Sequence, residues 1–538
     1  MHWADRIADE LIAERPDTEV FTCASGISPS GSIHVGNLRD VATILFVGTA
    51  LRERGKQVRL LHSWDDYDRL RKIPQPKVAE GLGLPQWLVE RARSNQLPED
   101  FAQHLGKPLA RVPDPTGKYS SFAERNETEF ATAIAECGID VEYRYQTRMY
   151  ESGVYRQGII DAVRARREIY DILQKSKTEK GTADDREAYL PITVYCEQCG
   201  HETTRISLEP GSDTKFHYTC GRCGADVASD LEVATNVKLS WRVDWAMRWR
   251  HENVIFEPAG KDHASAGGSY DSSGEICRVV FRHEPPRFQP YEFIGIRGLT
   301  GKMSSSTGLL LTPHDILDIY QPEVMLWMYA RVGPMKVFDV ALDDQVLRTY
   351  DEYDRALGGN PQIDTDVRAL ALANPRGRTI HAVPFRQLTG FAGIVQGNVA
   401  AMERMFARIG TPFSASEFSE RLEKAETWLE RYVPEQRITI LDEPNVAFAA
   451  TLGDEERAWV QALRDWLATA GDFSTDEATE VVYEIPKLAG LSEKEQGPRQ
   501  RRFFQVVYNL VFGRDRGPRL GTFLAAVPRE RYAALLDA

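Results

Sequence analysis

The chain contains no apolar run approaching the ~18 residues of a membrane span, and a protein without membrane-crossing segments is expected. Met1-His2-Trp3-Ala4-Asp5 lacks the basic-then-apolar pattern of a signal peptide, so a cytoplasmic location is expected. Cysteine is scarce, with seven in 538 residues. Four of the seven fall into two close pairs, a metal spacing rather than a disulfide framework, and one suited to a reducing compartment. Positive charge is short as well. The formal net charge is −13, on its face poor for a phosphate-bearing partner. Net charge does not report distribution, however, and basic residues can be confined to one face. Neither an internal repeat nor a low-complexity tract is evident.

What is present belongs to a folded protein: 42% hydrophobic, 10% aromatic and 27% charged residues. A chain of this length is too long for one hydrophobic core, so two to four domains are expected. Glu19 to Ala24 reads as a buried strand, followed by a loop of small residues from Ser25 to Ser32. From His34 an amphipathic helical pattern places Val35, Leu38, Val41, Leu45 and Phe46 on one face and stops at Gly55. Val58 to Leu61 reads as the next strand. This is a βαβ unit, with its small-residue loop at the strand end where open α/β sheets bind ligands. The loop has neither the Gly-Lys-Ser/Thr of a P-loop nor the three-glycine dinucleotide fingerprint. His34 and Asn37 instead stand one turn apart at the helix start, able to face an anion held there. Gly36 between them leaves room for a flat base or ribose. The same four residues would also serve as a helix cap with a surface histidine.

A second loop, Gly301-Lys302-Met303-Ser304-Ser305-Ser306-Thr307-Gly308, follows a strand near Tyr291–Gly295. A lysine on a hydroxyl-rich loop can follow departing pyrophosphate and act mainly in the transition state. Read alone, the segment is also a Ser-rich linker. Cys196-x-x-Cys199 and Cys220-x-x-Cys223, each pair followed by glycine, fit a closed four-thiolate zinc site, structural rather than catalytic. His201 and His217 lie close enough to be substitute ligands. Arg499, Arg501, Arg502, Arg514, Arg516 and Arg519, interleaved with Phe503, Phe504 and Tyr508, form a local basic segment. It suits either RNA contact or a solvated helix face. Arg164-Ala165-Arg166-Arg167 is a second basic cluster.

His34-Val35-Gly36-Asn37 resembles the HIGH signature of class I aminoacyl-tRNA synthetases, with Asn in place of the last His. Lys302 to Ser306 resembles the KMSKS loop of that family, with Ser305 where the second Lys usually stands. Further segments resemble class I lysyl-tRNA synthetases: Gly26-Ile27-Ser28-Pro29-Ser30-Gly31, Ser63-Trp64-Asp65-Asp66-Tyr67-Asp68, Trp241-Arg242-Val243-Asp244-Trp245, Gly260-Lys261-Asp262-His263 and Gly517-Pro518-Arg519-Leu520-Gly521. The resemblance spans nearly the whole chain, with little to quote between about 360 and 490.

The resemblance implies an α/β fold. A Rossmann-like catalytic domain would occupy 1–300, interrupted over about 100–235 by a connective insertion that carries a zinc ribbon at 190–230. The loop and a connecting helical domain would follow over 301–360, and an α-helical anticodon-binding domain over 361–538. It implies ATP-dependent attachment of L-lysine to tRNA(Lys) through a lysyl-adenylate, with Mg²⁺ and a structural Zn²⁺. The catalytic residues would be His34, Asn37, Lys302 and Ser305. ATP would be held by Ser30, Gly31, His34, Gly36, Asn37, Asp262, Lys302, Met303, Ser304, Ser305 and Ser306. Lysine would lie near Gly26, Ser28, Trp241, His263 and Tyr291. A buried ammonium also needs an acid and can rest on aromatic faces, which makes Asp65 and Asp66 candidates, with Asp244 another. Each has a plain alternative: a helix N-cap or an ion pair with Arg69 for Asp65 and Asp66, core packing for Trp245 and Trp249. A monomer is expected. A class I enzyme for glutamate or cysteine, or a paralogue that no longer aminoacylates, remains as an alternative.

Overall fold

A computed structural model describes residues 1–74, 86–94, 97–265, 267–297, 311–358 and 364–537. These residues form two compact units. The first comprises Met1–Leu317, Pro322–Val340 and Pro361–Gly377; the second comprises Asp318–Gln321, Ala341–Asn360 and Arg378–Ala538.

The first unit is built on five parallel strands: β1 (Val20–Ile27), β2 (Gln57–Trp64), β3 (Glu142–Tyr145), β4 (Val254–Gly260) and β5 (Arg287–Tyr291). Their order across the sheet is β5-β4-β1-β2-β3. The chain thus leaves β1 in one direction for β2 and β3, then returns to the other side of β1 for β4 and β5. The point of reversal, between β1 and β4, is where an open α/β sheet leaves a crevice at its carboxyl edge. Central β1 runs as a buried apolar strand, with Phe21 and Cys23 fully buried, as a strand covered on both faces must.

The helix after β1 starts later than its hydrophobic pattern suggests. His34 has extended backbone (φ −86°, ψ 159°), Val35–Asn37 form one 3-10 turn, and helix α1 runs Leu38–Glu53. Its expected polar face is absent: Arg39, Asp40 and Thr43 are buried along with the apolar stripe. The sheet covers one side of α1, and the N-terminal helix Trp3–Glu14 packs against it as well. Gly55 ends the segment with φ +76°, the left-handed conformation that a helix-terminating glycine supplies.

Between β3 and β4 the chain makes short helices and two small antiparallel sheets. One pairs Ile192–Val194 with Val237–Leu239, and the other orders Thr204–Leu208, Lys215–Cys220 and Asp226–Asp230 side by side. Helix α2 (Trp241–Glu252) then leads into β4 through Asn253, whose φ of 48° is left-handed. Among the described residues no helix is long and apolar enough to cross a membrane.

The second unit is helical, with Ala415–Arg431, Asp454–Thr469, Thr475–Glu484 and Glu493–Phe512 among its elements. Ser414 with Glu417, Ser474 with Glu477 and Ser492 with Glu495 form reciprocal capping boxes that fix three of these starts. Arg421 is buried in this unit and is fully engaged. Its guanidinium bonds Gln321, the carbonyl of Val383 and the carboxylate of Asp354.

Candidate active site

A cavity of about 420 Å³ opens at the carboxyl edge of the parallel sheet, within the size range of small-ligand sites. Gly26 and Ser28 from the end of β1, His34, Gly36 and Asn37 from the turn into α1, Asp65 after β2, Trp241 from α2, Asp262 and His263 after β4, and Tyr291 from β5 all line it. The structure therefore gathers at one place residues that lie up to a whole unit apart in sequence. Ser30, Gly31 and Asp66 are not among the lining residues. Asp66 is buried and accepts the backbone N–H of Thr147 at 2.8 Å. Lys302, Met303, Ser304, Ser305 and Ser306 lie outside the described residues.

Two glycines have steric reasons. A Cβ on Gly26 would sit 3.3 Å from both the Cβ and the carbonyl oxygen of Ser63 on neighbouring β2. A Cβ on Gly36 would meet the His34 imidazole at 2.8 Å. The space over Gly36 is thus taken by the His34 ring, which folds back across it, rather than left open for a base or ribose. The turn is held from both sides. Val35 donates its N–H to the carbonyl of Leu311 at 2.7 Å, and Tyr329 donates its hydroxyl to the carbonyl of Val35 at 2.8 Å. Leu311 is the first described residue after the lysine-bearing loop in sequence. Buried Arg39 donates to the carbonyls of Glu292, Gly333 and Lys336, tying α1 to the segment after β5.

The acids of the cavity fall into two groups. Asp65 forms an ion pair with Arg248 at 2.6 Å, not with Arg69, which pairs with Glu202. Arg248 also reaches Asp244 at 3.4 Å, and buried Lys238 lies 3.5 Å from Asp244 and 3.1 Å from Asp68. Tyr150 donates its hydroxyl to Asp244. Each acid of this network has a cation within reach, and the neighbouring carboxylates raise the pKa of Lys238 despite its burial.

Among the described residues, Asp40 and Glu257 have no ion-pair partner. Asp40 is 7% exposed, and its Oδ1 makes no hydrogen bond. Burial pushes its carboxyl well above the usual range, Tyr291 opposes this by hydrogen bonding, and the charges of Glu257 and Asp262 raise it further. Glu257 accepts the indole N–H of Trp245 at 3.0 Å on one oxygen and that of Trp249 at 2.5 Å on the other, and burial raises its pKa too. Trp245 and Trp249 are therefore both core and cavity wall. Asp40, Arg248 and Glu257 are absent from the residues that the sequence singles out. Asp40 had a signal, since it stands three positions after Asn37 and shares its helical face. Arg248 had one as Asp244's i+4 partner. Glu257 had none short of knowing that β4 folds back along α2.

The four cysteines meet. The sulfurs of Cys196, Cys199, Cys220 and Cys223 all lie within 4.8 Å of one another, with Cys196–Cys223 at 3.6 Å and Cys199–Cys220 at 3.7 Å. Tetrahedral zinc with 2.3 Å bonds to sulfur requires about 3.8 Å between sulfurs, so the cluster is compatible with zinc. Gly200 and Gly224 take matching left-handed conformations (φ +73° and +75°) and return their N–H groups to the carbonyls of Cys196 and Cys220. His201 is no ligand. Its ring nitrogens face the carbonyls of Cys199 and Gln103, while His217 pairs with Asp226.

The basic C-terminal segment is more committed than its composition suggests. Arg499 pairs with Glu455 and Arg502 with Glu456, while Arg514 donates to the carbonyl of Glu435. Phe503 is fully buried, and Tyr508 donates its hydroxyl to the carbonyl of Pro518. Arg501, Arg516 and Arg519 are exposed. In the second cluster, Arg166 pairs with Asp213 and Arg167 with Glu187.

A family model described as tRNA synthetases class I (K) matches residues 1–368. A lysine–tRNA ligase of Streptomyces coelicolor is 36% identical, covering 99% of this chain and 98% of its own length. Lysine–tRNA ligases of Thermococcus kodakarensis and Treponema pallidum are each 34% identical, the first covering 98% of both chains. The second covers 100% of this chain and 98% of its own. With a parallel sheet, a ligand crevice at its point of reversal and a paired cysteine ribbon, the chain belongs to the class I (K) family of tRNA synthetases.

Proposed function

We propose that the cavity activates L-lysine with MgATP and that the protein transfers the lysyl group to tRNA(Lys). One observation carries the amino-acid choice. Asp40, buried, and Glu257, half-buried, are carboxylates on the cavity wall without ion-pair partners among the described residues. Holding such groups charged is costly unless a cation arrives to pair with them. Lysine brings a side-chain ammonium, whereas glutamate would bring repulsion. Asp40, with its unpartnered oxygen beside Tyr291, is our assignment for the acid that meets that ammonium. Asp65 and Asp244 already have cations. Trp241 and His263 form the adjacent wall, and Gly26 and Ser28 the floor.

Class I synthetases use ATP. Its α-phosphate belongs at the start of α1, where the positive end of the helix dipole favours an anion and His34 and Asn37 stand. The ribose hydroxyls belong at Asp262. The lysine carboxylate attacks the α-phosphorus in line, forming the acyl-phosphate bond of lysyl-adenylate while the bond to pyrophosphate breaks. Lys302, with Met303, Ser304, Ser305 and Ser306 around it, attends the leaving pyrophosphate. A terminal ribose hydroxyl of the tRNA then attacks the lysyl carbonyl and AMP leaves. No side-chain nucleophile is required, because catalysis is positioning plus charge stabilisation.

The cysteine cluster holds one structural Zn²⁺ in this reading. Elemental analysis should find one zinc per chain, lost in Cys196→Ser. Zinc found in equal amount in that variant would refute it. Free thiolates of this kind suit a reducing compartment, so we place the protein in the cytoplasm, and we assign the helical second unit to the anticodon end of tRNA(Lys). The reading is tested by amino-acid-dependent ATP–pyrophosphate exchange with each of the twenty amino acids. Lysine should support exchange at least 10²-fold above any other, the discrimination expected of a buried charged recognition site. Exchange with glutamate or cysteine in its place, or with none, would overturn the assignment.

A further inference from the structure

Glu257 differs from the other acids of the cavity in having both carboxylate oxygens held by indole N–H groups. Helix α2 carries Trp241, Trp245 and Trp249 at successive i, i+4 positions, so their indoles stack along one face. The left-handed turn at Asn253 reverses the chain, and β4 runs back beside that face and presents Glu257 to it. Each carboxylate oxygen takes one indole N–H, from Trp245 at 3.0 Å and from Trp249 at 2.5 Å. Two acceptors facing two donors need a carboxylate. A glutamine of the same shape has one acceptor and one donor, and would turn its NH₂ toward one of the indoles.

The clasp reaches the substrate wall through ring contacts. Trp245 stacks on Trp241 at 5.1 Å between centroids, with 19° between planes, and meets His263 edge-on at 5.7 Å. On the other side Trp249 contacts Tyr270 at 5.6 Å, and Tyr270 stacks on Phe288 of β5 at 4.5 Å. Trp241 and His263 thus stand where they do because the row behind them is anchored. We propose that Glu257 is a positioning residue of the amino-acid pocket, fixing the Trp245–Trp249 pair and through it the Trp241–His263 wall against which lysine lies. This rests on the lysine reading above. Because Glu257 acts through the tryptophan row, its loss is expected to bear on lysine more than on ATP.

The test is steady-state ATP–pyrophosphate exchange by the full chain as wild type, Glu257→Gln, Trp249→Phe and the double variant. Glu257→Gln should raise the KM for lysine about tenfold, leave the KM for ATP within threefold, lower kcat less than threefold and shift the tryptophan emission. Trp249→Phe removes one indole N–H, so adding Glu257→Gln to it should cost much less than in the wild-type background. A general loosening of the fold would instead raise both KM values, lower kcat and show no such coupling. That pattern, or an unchanged KM for lysine in Glu257→Gln, overturns the proposal while leaving the lysine assignment intact. Wild-type protein that exchanges with no lysine dependence overturns both. Should Glu257→Gln fail to fold, Trp245→Phe and Trp249→Phe each remove one half of the clasp. Each should then raise the KM for lysine alone, and unchanged values in both would refute the role.

Discussion

The two walls of the cavity solve the same problem in opposite ways. On one, buried Asp65 and Asp244 and half-buried Asp68 have Arg248 and Lys238 among them, so that each acid has a cation within reach. On the other, buried Asp40 and half-buried Glu257 are held by a tyrosine and two indoles, and among the described residues neither has an ion-pair partner. Desolvation acts on both walls, so the difference lies in the partners alone. The ion-paired wall is scaffold, because each of its acids already has a cation. In our proposal the unpaired wall is completed by the ammonium of the amino acid.

The largest effect should come from unbalancing the scaffold wall. Arg248→Ala leaves Asp65 and Asp244 buried without their main counter-charge, and breaking a buried ion pair from one side costs about 3–5 kcal/mol. A large drop in Tm by calorimetry is expected. Arg248→Met combined with Asp65→Asn should recover much of it, since removing both partners together removes the demand. A single variant as stable as wild type would mean that the network does not bear on the fold.

A smaller effect sharpens the comparison away from the cavity. Glu127 is buried on the helix Phe122–Glu136, its Oε1 has no partner, and burial, with the charges of Asp66 and Glu124, raises its pKa to about 8. A carboxyl whose folded pKa lies above its unfolded value favours the fold fully below the unfolded pKa, near 4.5. That contribution is lost as pH rises through about 8. Glu127→Gln does not titrate. Its Tm should therefore improve relative to wild type by roughly 2–4 °C on going from pH 5 to pH 8.5, the shift that about 1 kcal/mol gives a domain of this size. A constant difference across that range would refute the cause assigned.

Legibility in the sequence followed the range of the interactions. The strand, small-residue loop and helix around His34 are written within forty residues by hydrophobic spacing, and the cysteine pairs carry their geometry in their own spacing and glycines. The closure of Gly36 by the His34 ring could not be read, because it depends on a rotamer. Glu257 needed knowledge that a strand returns along α2. The C-terminal arginines looked uncompensated because Glu455 and Glu456 lie 44 and 46 residues upstream of them on another helix. Local pattern therefore located the site and its signature turn, while the partner of each charge was set by topology.

The most direct test is Asp40→Asn, measured as lysine-dependent ATP–pyrophosphate exchange beside wild type. Losing the charged partner of a buried ammonium should lower kcat/KM for lysine by about 10²–10³-fold, with the KM for ATP within threefold of wild type. A variant that keeps wild-type kcat/KM for lysine would contradict the claim that this unpaired carboxylate is where the substrate's positive charge is met.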